Sequence, residues 1–270
     1  MRRIFPELLR SRELLLDLVS KELRIRYRYA LMGFLWAFLE PLLMTAILYF
    51  VFGIVFNFRG GATTPAMYAV SLLTGLVFWQ FLSHTLGAGA RSLVDNGNLV
   101  NKVLFPREVI PLSVVGVNLV NLLIGTAILL GLFLLLGGRL GAQAVWLPVL
   151  FGIELALVVG LALLLSSLNV FYRDVSYVVD VGLILAFYAT PIFYDFRADV
   201  FPRLVEHPWL YYTYMMNPMV GLISSYRQVL IENQPPVLEL VAIPAIQSGI
   251  ALVVGAVVFR RKAGIMSDYL

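Results

Sequence analysis

The chain has 270 residues and a net charge of +4, and 60% of its residues are hydrophobic while only 13% are charged. Ordinary soluble domains carry roughly 25% charged residues, so this composition predicts an integral membrane protein. Six spans of about 20 residues each would leave no room for a large soluble domain, and the lack of cysteine excludes disulfides and cysteine-ligated metal sites.

Residues 12–29 have the pattern of an amphipathic helix, with one basic, polar arc opposite an arc rich in leucine. Such a helix lies in the cytoplasmic membrane interface, with its cations near lipid phosphates. Two interpretations stay open. The helix is either a simple membrane anchor, or a site where Arg24, Arg26 and Arg28, with Tyr27 and Tyr29, select an anionic lipid-linked head group.

Six apolar runs follow, each of 18 residues or more and with few charges, which is the pattern of transmembrane helices. They cover residues 31–56, 66–90, 109–136, 145–168, 177–194 and 237–259. With six spans, both termini lie on one side, and that side carries 15 of the 20 Lys and Arg residues. The positive-inside rule therefore predicts that both termini are cytoplasmic.

The cytoplasmic segment between spans two and three, residues 92–106, is too polar to cross the membrane. An apolar stripe lies on a predicted short helix that Pro106 ends, and it consists of Leu99, Val100, Val103, Leu104 and Phe105. Apolar side chains on a cytosolic loop need a surface to cover them. Packing on the chain's own bundle is one interpretation, and docking of a separate cytosolic subunit is the one we prefer.

The segment between spans five and six, residues 195–236, is rich in aromatic residues. Nine aromatic side chains fall within the 34 positions from Phe193 to Tyr226. The apolar runs 209–216 and 219–231, separated by Asn217 and Pro218, are each too short to span and predict a re-entrant pair of short helices. An aromatic belt at the lipid head groups is the simpler interpretation, but clustering in one loop favours the lining or lid of an exit.

Few ionisable residues fall inside the predicted spans, namely Glu40, Glu154 and Asp180. Asn118 and Asn121 share one face of span three. Each of these polar residues is as suited to hydrogen-bonding between helices as to transport chemistry, and the two histidines, His84 and His207, are interpreted as incidental. The sequence contains no Gly-x-x-x-x-Gly-Lys-Ser/Thr phosphate loop.

Five motifs in chain order resemble the transmembrane subunit of ABC-2-type exporters for cell-surface polysaccharides such as O-antigen, capsule and wall teichoic acid. They are RYRY at 26–29 with LMGFLWAFLEPLL at 31–43, NLVNKVLFPREVIP at 98–111, LNVFYRDV at 168–175, TPIFY at 190–194, and NP at 217–218. The resemblance extends over essentially the whole chain. It implies one transmembrane domain over 1–270, with an interface helix at 1–30, a six-helix region at 31–259 and a cytoplasmic tail at 260–270.

The same resemblance implies roles for four groups of residues. The substrate entrance would comprise Arg24, Arg26, Arg28, Tyr29, Trp36 and Glu40. Coupling to an ATPase would use Asn98, Leu99, Lys102, Val103, Phe105, Pro106 and Arg107. A cytoplasmic gate would comprise Asn169, Phe171, Tyr172, Arg173 and Asp174. An external gate would comprise Tyr194, Trp209, Tyr211, Tyr212, Tyr214, Asn217, Pro218 and Arg227.

The resemblance also implies a homodimer in the bacterial cytoplasmic membrane, bound to two copies of a cytosolic ATP-binding subunit. The cargo would be a glycan linked to a polyprenyl diphosphate or a phospholipid. The chain itself would hold no cofactor and no metal, because ATP and Mg would bind the partner, and we expect no nucleic-acid partner. Two alternatives remain: an ABC-2 exporter of small molecules or drugs, and a membrane enzyme acting on lipid-linked sugars, for which Asp195 and Asp199 are the candidate carboxylates.

Overall fold

The computed structural model describes residues 12–28, 35–58, 62, 64–102, 105–204, 207–266 and 269. Every regular element among these residues is helical, which confirms the all-α membrane fold. The helices are α1 (Arg12–Arg28), α2 (Trp36–Leu48), α3 (Pro65–Asp95), α4 (Gly97–Lys102), α5 (Val109–Leu135), α6 (Leu147–Phe171), α7 (Val175–Ala189), α8 (Phe201–Leu204), α9 (Pro208–Met215), α10 (Pro218–Leu230) and α11 (Leu238–Ala263). A π-helical stretch, Tyr49–Val55, extends α2, and a 3-10 turn, Ala142–Trp146, precedes α6.

Five helices of the described chain are long and apolar enough to cross a membrane, and they match five of the six predicted spans. The remaining one, α7, is apolar but has only 15 residues and ends at Ala189, so the prediction that it continues to residue 194 is wrong. Pro191 explains the early end, because the residue before a proline disfavours helical geometry, and Thr190 is extended with φ −99° and ψ 140°. At 1.5 Å per residue, α7 is about 22 Å long.

Helix α3 is the centre of the bundle. In its most apolar stretch 72% of the residues are buried within the chain, against 11% for α2 and 22% for α11. It packs against α5, α6, α2 and α7. Helix α7 has no buried residue among its 15. One side, with Tyr177, Ile184 and Tyr188, is exposed, and the other, with Val179, Leu183 and Phe187, is half-buried against the core. The apolar outer surfaces of α2, α7 and α11 are those that hydrocarbon would cover.

Small residues allow two close helix crossings. A Cβ added at Gly160 of α6 would lie 2.4 Å from the backbone of α11 at Ala251, and one added at Gly255 would lie 2.0 Å from the carbonyl oxygen of Gly160. Helices α6 and α11 therefore meet backbone to backbone, as small residues permit in membranes. At the second crossing, Gly221 of α10 faces Pro244 of α11, and a Cβ there would be 2.6 Å from the proline ring.

The amphipathic helix α1 docks on α5. Its Leu14, Leu15, Leu18 and Val19 side chains are half-buried, and a Cβ at Gly116 of α5 would lie 2.7 Å from Val19 Cγ2. Leu16 and Ile25 stay exposed, as expected for a helix that also borders the membrane interface.

Candidate functional site

A polar pocket lies between the first turns of α2 and the middle of α3 and α5. Its volume is about 230 Å³. The polar and aromatic side chains that line it are Trp36, Glu40, Gln80, His84, Asn118 and Asn121. Asn118 lies nine residues into α5, which corresponds to about 14 Å from its first residue. The pocket is therefore at membrane depth, and it opens on the side of α2, where Trp36 and Glu40 are exposed.

Glu40 and His84 join two walls of this pocket. Glu40 Oε1 of α2 lies 3.3 Å from His84 Nε2 of α3, and both side chains remain partly exposed. On the third wall, Asn118 Nδ2 donates to the Val114 carbonyl at 3.0 Å, which orients the amide. The pair places His84 at the contact between α2 and α3, and its interpretation as incidental stays a prediction.

The structure divides the predicted substrate entrance into two places. Trp36 and Glu40 border the pocket, whereas Arg24 lies exposed on α1. The side chains of Arg26 and Arg28, and all of Tyr29, lie outside the described residues. Helix α1 contacts α5 through Val19 at Gly116, and no described residue of α1 is among those that line the pocket.

The predicted coupling segment is part helix and part loop. Helix α3 continues through Asp95, so the separate helix α4 covers only Gly97–Lys102. Val100 is buried in a small core and Phe105 packs against it. The other members of that core are Leu93, Ile110, Leu163, Val170, Phe259 and Met266.

Val100 and Phe105 are thus covered by the chain itself and need no partner. Asn98 is exposed, while Leu99, Pro106 and Arg107 are half-buried. Val103 and the Lys102 side chain lie outside the described residues. The docking role of the segment stays a prediction.

The predicted cytoplasmic gate is the turn between α6 and α7. Asn169 is buried, and its Oδ1 accepts a hydrogen bond at 3.1 Å from the backbone N–H of Ser176, which fixes the start of α7. Tyr172, Arg173 and Asp174 are exposed, and Lys262 of α11 lies 4.1 Å from the centre of the Phe171 ring. Above this turn, the Arg91 guanidinium of α3 pairs with the Asp180 carboxylate of α7.

Arg227 of α10 anchors the opposite, predicted external end. Its guanidinium is buried and donates to three backbone carbonyls: Tyr194 at 2.7 Å, Ile192 at 2.5 Å and Ser71 at 3.1 Å. Gly75 of α3 leaves room for this group, since a Cβ there would lie 3.2 Å from Nη2. The predicted gate residue therefore ties the loop after α7 to both α10 and α3.

The aromatic residues of the predicted external gate pack mainly on one another. Tyr194 and Tyr214 share a hydrogen bond between their hydroxyls at 2.6 Å, and Phe196 stacks on Tyr214. Phe196 also contacts Tyr211. Trp209 and Tyr212 are 67% and 62% exposed, so these two aromatic side chains are accessible from outside.

Asn217, the separator between the two short helices, has two hydrogen bonds. Its Oδ1 accepts from the N–H of Met219, which caps α10 ahead of Pro218, and its Nδ2 donates to Thr190 Oγ1 at 2.8 Å. The predicted pair of short helices on either side of residue 217 is confirmed as α9 and α10. Its role as a gate stays a prediction.

A small charged group lies beside this end of the bundle. Arg197 Nη1 is 3.5 Å from Glu232 Oε2, and both side chains are partly exposed. Burial raises the pKa of the Glu232 carboxyl above its usual value, the nearby Asp195 raises it further, and Arg197 opposes the shift.

Glu154 is fully buried in the middle of α6. Its Oε2 accepts a hydrogen bond from the Tyr226 hydroxyl at 2.9 Å, and the Tyr226 ring stacks on Phe78 with 3.5 Å between ring centres. This contact joins α6, α10 and α3, so Glu154 belongs to a helix interface.

The family of proteins described as ABC-2 type transporters matches residues 13–231 of the chain. The chain belongs to that family. Among curated relatives of this ABC-2 transporter, an O-antigen export system permease protein, RfbA, from Myxococcus xanthus is 33% identical over 249 residues, 90% of each chain. Two RfbA proteins from Klebsiella pneumoniae are each 30% identical over 250 residues, 92% of each chain. By family, the chain is a transport subunit.

Sequence reasoning missed two pocket residues of this ABC-2 transporter, Gln80 and His84. They are four positions apart and so lie on one face of α3, just as Asn118 and Asn121, three positions apart, share one face of α5. A search for polar pairs at helical spacing within apolar runs would have found both pairs. The packing of α2, α3 and α5 is what brings these two pairs together with Glu40, and the sequence does not show that packing.

Proposed function

We propose that the chain is the permease subunit of an ATP-driven exporter that moves a lipid-linked cell-surface polysaccharide of the O-antigen class across the bacterial cytoplasmic membrane. The observation that carries the proposal is the 30–33% identity with three O-antigen export permeases over about nine-tenths of both chains. Both termini would lie in the cytoplasm, as the distribution of Lys and Arg favours.

The energy would come from a separate cytosolic subunit. The sequence has no phosphate-loop motif, and the described residues form a membrane bundle with no nucleotide-binding domain beside it. Two permease copies would bind two ATPase copies, which hold ATP and Mg. The exposed Asn98 and the half-buried Leu99 and Arg107 are the described residues best placed to receive the ATPase.

Cargo recognition would begin at α1. Arg24, Arg26 and Arg28 would attract the phosphates of the lipid anchor, since charge-assisted hydrogen bonds suit phosphate oxygens. The glycan would then pass through the bundle toward the end held together by Arg227. There the exposed Trp209 and Tyr212 offer flat aromatic faces on which sugar rings can stack.

Deletion of the gene in its own host tests the proposal. Surface polysaccharide, measured by antibody or lectin on intact cells, should disappear, while lipid-linked polysaccharide accumulates inside and the plasmid-borne gene restores export. Normal surface polysaccharide combined with a new sensitivity to small toxic compounds would instead identify a drug exporter. Loss of lipid-linked glycan synthesis, with nothing accumulating inside, would point to an enzyme and contradict the proposal.

A further inference from the structure

The side chains that line the pocket between α2, α3 and α5 limit the kind of ligand that can bind there. Of its twelve lining residues, one carries a carboxylate, three carry carboxamides, one is a histidine and one a tryptophan. Polar and ionisable side chains are costly at membrane depth and mark ligand or ion paths there. A lining with this many hydrogen-bonding groups does not suit an acyl chain.

Charge excludes a phosphate group as the preferred ligand. None of the twelve lining residues is Arg or Lys, and Glu40 places a negative charge on one wall. Phosphate sites need cationic or clustered N–H donors, and arginines of that kind lie on α1, at positions 12, 24, 26 and 28. The pocket therefore suits an uncharged ligand that both donates and accepts hydrogen bonds.

Size and shape limit the ligand to one ring. The volume of about 230 Å³ is below the roughly 300–1,000 Å³ of pockets that enclose drug-sized molecules. Trp36 supplies a flat aromatic wall that is 47% exposed, while carboxamides and Glu40 supply donors and acceptors on the other sides. A pyranose ring has a face of C–H groups and an edge of hydroxyls, which matches both kinds of wall.

We propose that this pocket is a binding subsite for a single uncharged pyranose unit of the transported glycan, with Trp36 against the ring face and Glu40, Gln80, His84, Asn118 and Asn121 on the hydroxyls. The inference rests on the proposed function and deepens it. The pocket lies at the start of the span that follows the basic helix, because α1 ends at Arg28 and Trp36, which lines the pocket, begins α2.

Such a subsite would distinguish sugars by the positions of their hydroxyl groups. A site that hydrogen-bonds a hydroxyl rejects the deoxy analogue strongly, because its own polar groups then lose their partner. The Glu40 and His84 pair is held across two helices, so it offers a fixed acceptor and donor to one part of the ring.

The lack of cysteine makes a direct test possible. Ala37 lines the pocket, and Ala88 is exposed on α3 outside it. The full-length variants Ala37→Cys and Ala88→Cys, each in lipid nanodiscs, are reacted with a methanethiosulfonate reagent. The reaction is repeated with methyl glycosides of glucose, galactose and mannose, with their deoxy analogues, and with inorganic phosphate.

We expect at least one methyl pyranoside to slow modification of the Ala37→Cys variant several-fold. Its deoxy analogue should slow the reaction less, and the Ala88→Cys variant should react at an unchanged rate. Asn121→Leu and His84→Leu, each combined with Ala37→Cys, should remove the protection without lowering the melting temperature, and His84→Gln should retain part of it. Protection by phosphate alone, or by none of these compounds, would overturn the inference.

The outcome separates the inference from the proposed function. Protection is measured on the purified chain without transport. If the chain exports polysaccharide in cells but no sugar protects the cysteine, the subsite is contradicted and the proposed function is kept. If sugars protect the cysteine but deletion of the gene leaves surface polysaccharide normal, the proposed function is contradicted instead.

Discussion

The guanidinium of Arg227 satisfies three buried backbone carbonyls that belong to two other parts of the chain. Replacing Arg227 by Met should lower the free energy of unfolding by about 2–5 kcal/mol, because the buried carbonyls would lose charge-assisted hydrogen bonds. The thermal midpoint of the purified protein, measured by intrinsic fluorescence in detergent, would report the loss.

Arg197→Met is the matched control for that prediction. Arg197 is exposed, and its pair with Glu232 is partly solvated, so its removal should cost at most about 1 kcal/mol. Equal midpoints for the two variants would show that Arg227 does not anchor the external end.

Arg227 also marks a limit of sequence reasoning. The sequence places it in the apolar run 219–231 of the predicted re-entrant pair and does not reveal its partners, since Ser71 and Ile192 are 156 and 35 residues away in sequence. Hydropathy measures the average polarity of a segment and not how its side chains pack, so it cannot show that one cation within an apolar segment is buried. The same holds for Glu154, whose partner Tyr226 is 72 residues away.

At the scale of elements, the crossing of α6 and α11 depends on glycine. Gly160→Ala would place a methyl group 2.4 Å from the α11 backbone, and overpacking of this kind costs about 1–3 kcal/mol. We expect a lower thermal midpoint and less folded protein on size-exclusion chromatography.

Gly152→Ala, two turns earlier on the same helix, is the control. A Cβ there meets no atom within 4 Å, so the better helix propensity of alanine should leave stability unchanged or slightly higher. A midpoint for Gly160→Ala equal to that of Gly152→Ala would disprove the close crossing.

Most elements of this chain could be predicted because each span is a long apolar run, and length and composition alone define such helices. The end of α7 and the extent of α4 could not be obtained that way. Pro191 stops α7 within an apolar run, and α3 continues to Asp95 through residues polar enough to suggest a loop. Backbone hydrogen bonding decides both boundaries, and hydropathy does not measure it.

For the whole molecule, the basic face of α1 is the predicted docking place of the cargo's phosphates. Changing Arg24, Arg26 and Arg28 together to Gln should abolish surface polysaccharide, because the phosphates would lose their charge-assisted partners. Copurification of the ATPase with the tagged permease should stay as in the wild type. Arg12→Gln, at the exposed start of the same helix, should leave export unchanged.

Undiminished export by the triple variant would contradict the head-group role and leave α1 as a membrane anchor. Loss of the ATPase from the purified complex would place these arginines in assembly instead. Sequence motifs suggested the family and the entrance together, but only the structure shows that the basic helix α1 and the pocket, whose lining has no Arg or Lys, are separate places.

The backbone contact between α6 and α11 has a mechanical consequence. Gly160 and Gly255 bring the backbones of α6 and α11 into direct contact, so we expect these two helices to move together. Helix α7 has no fully buried residue and is held by the half-buried Val179, Leu183 and Phe187 against the core and by the pair of Asp180 with Arg91. We expect any widening of the bundle for a bulky polymer to separate these side-chain contacts of α7, with Asn169 at its start as the hinge, before it separates α6 from α11.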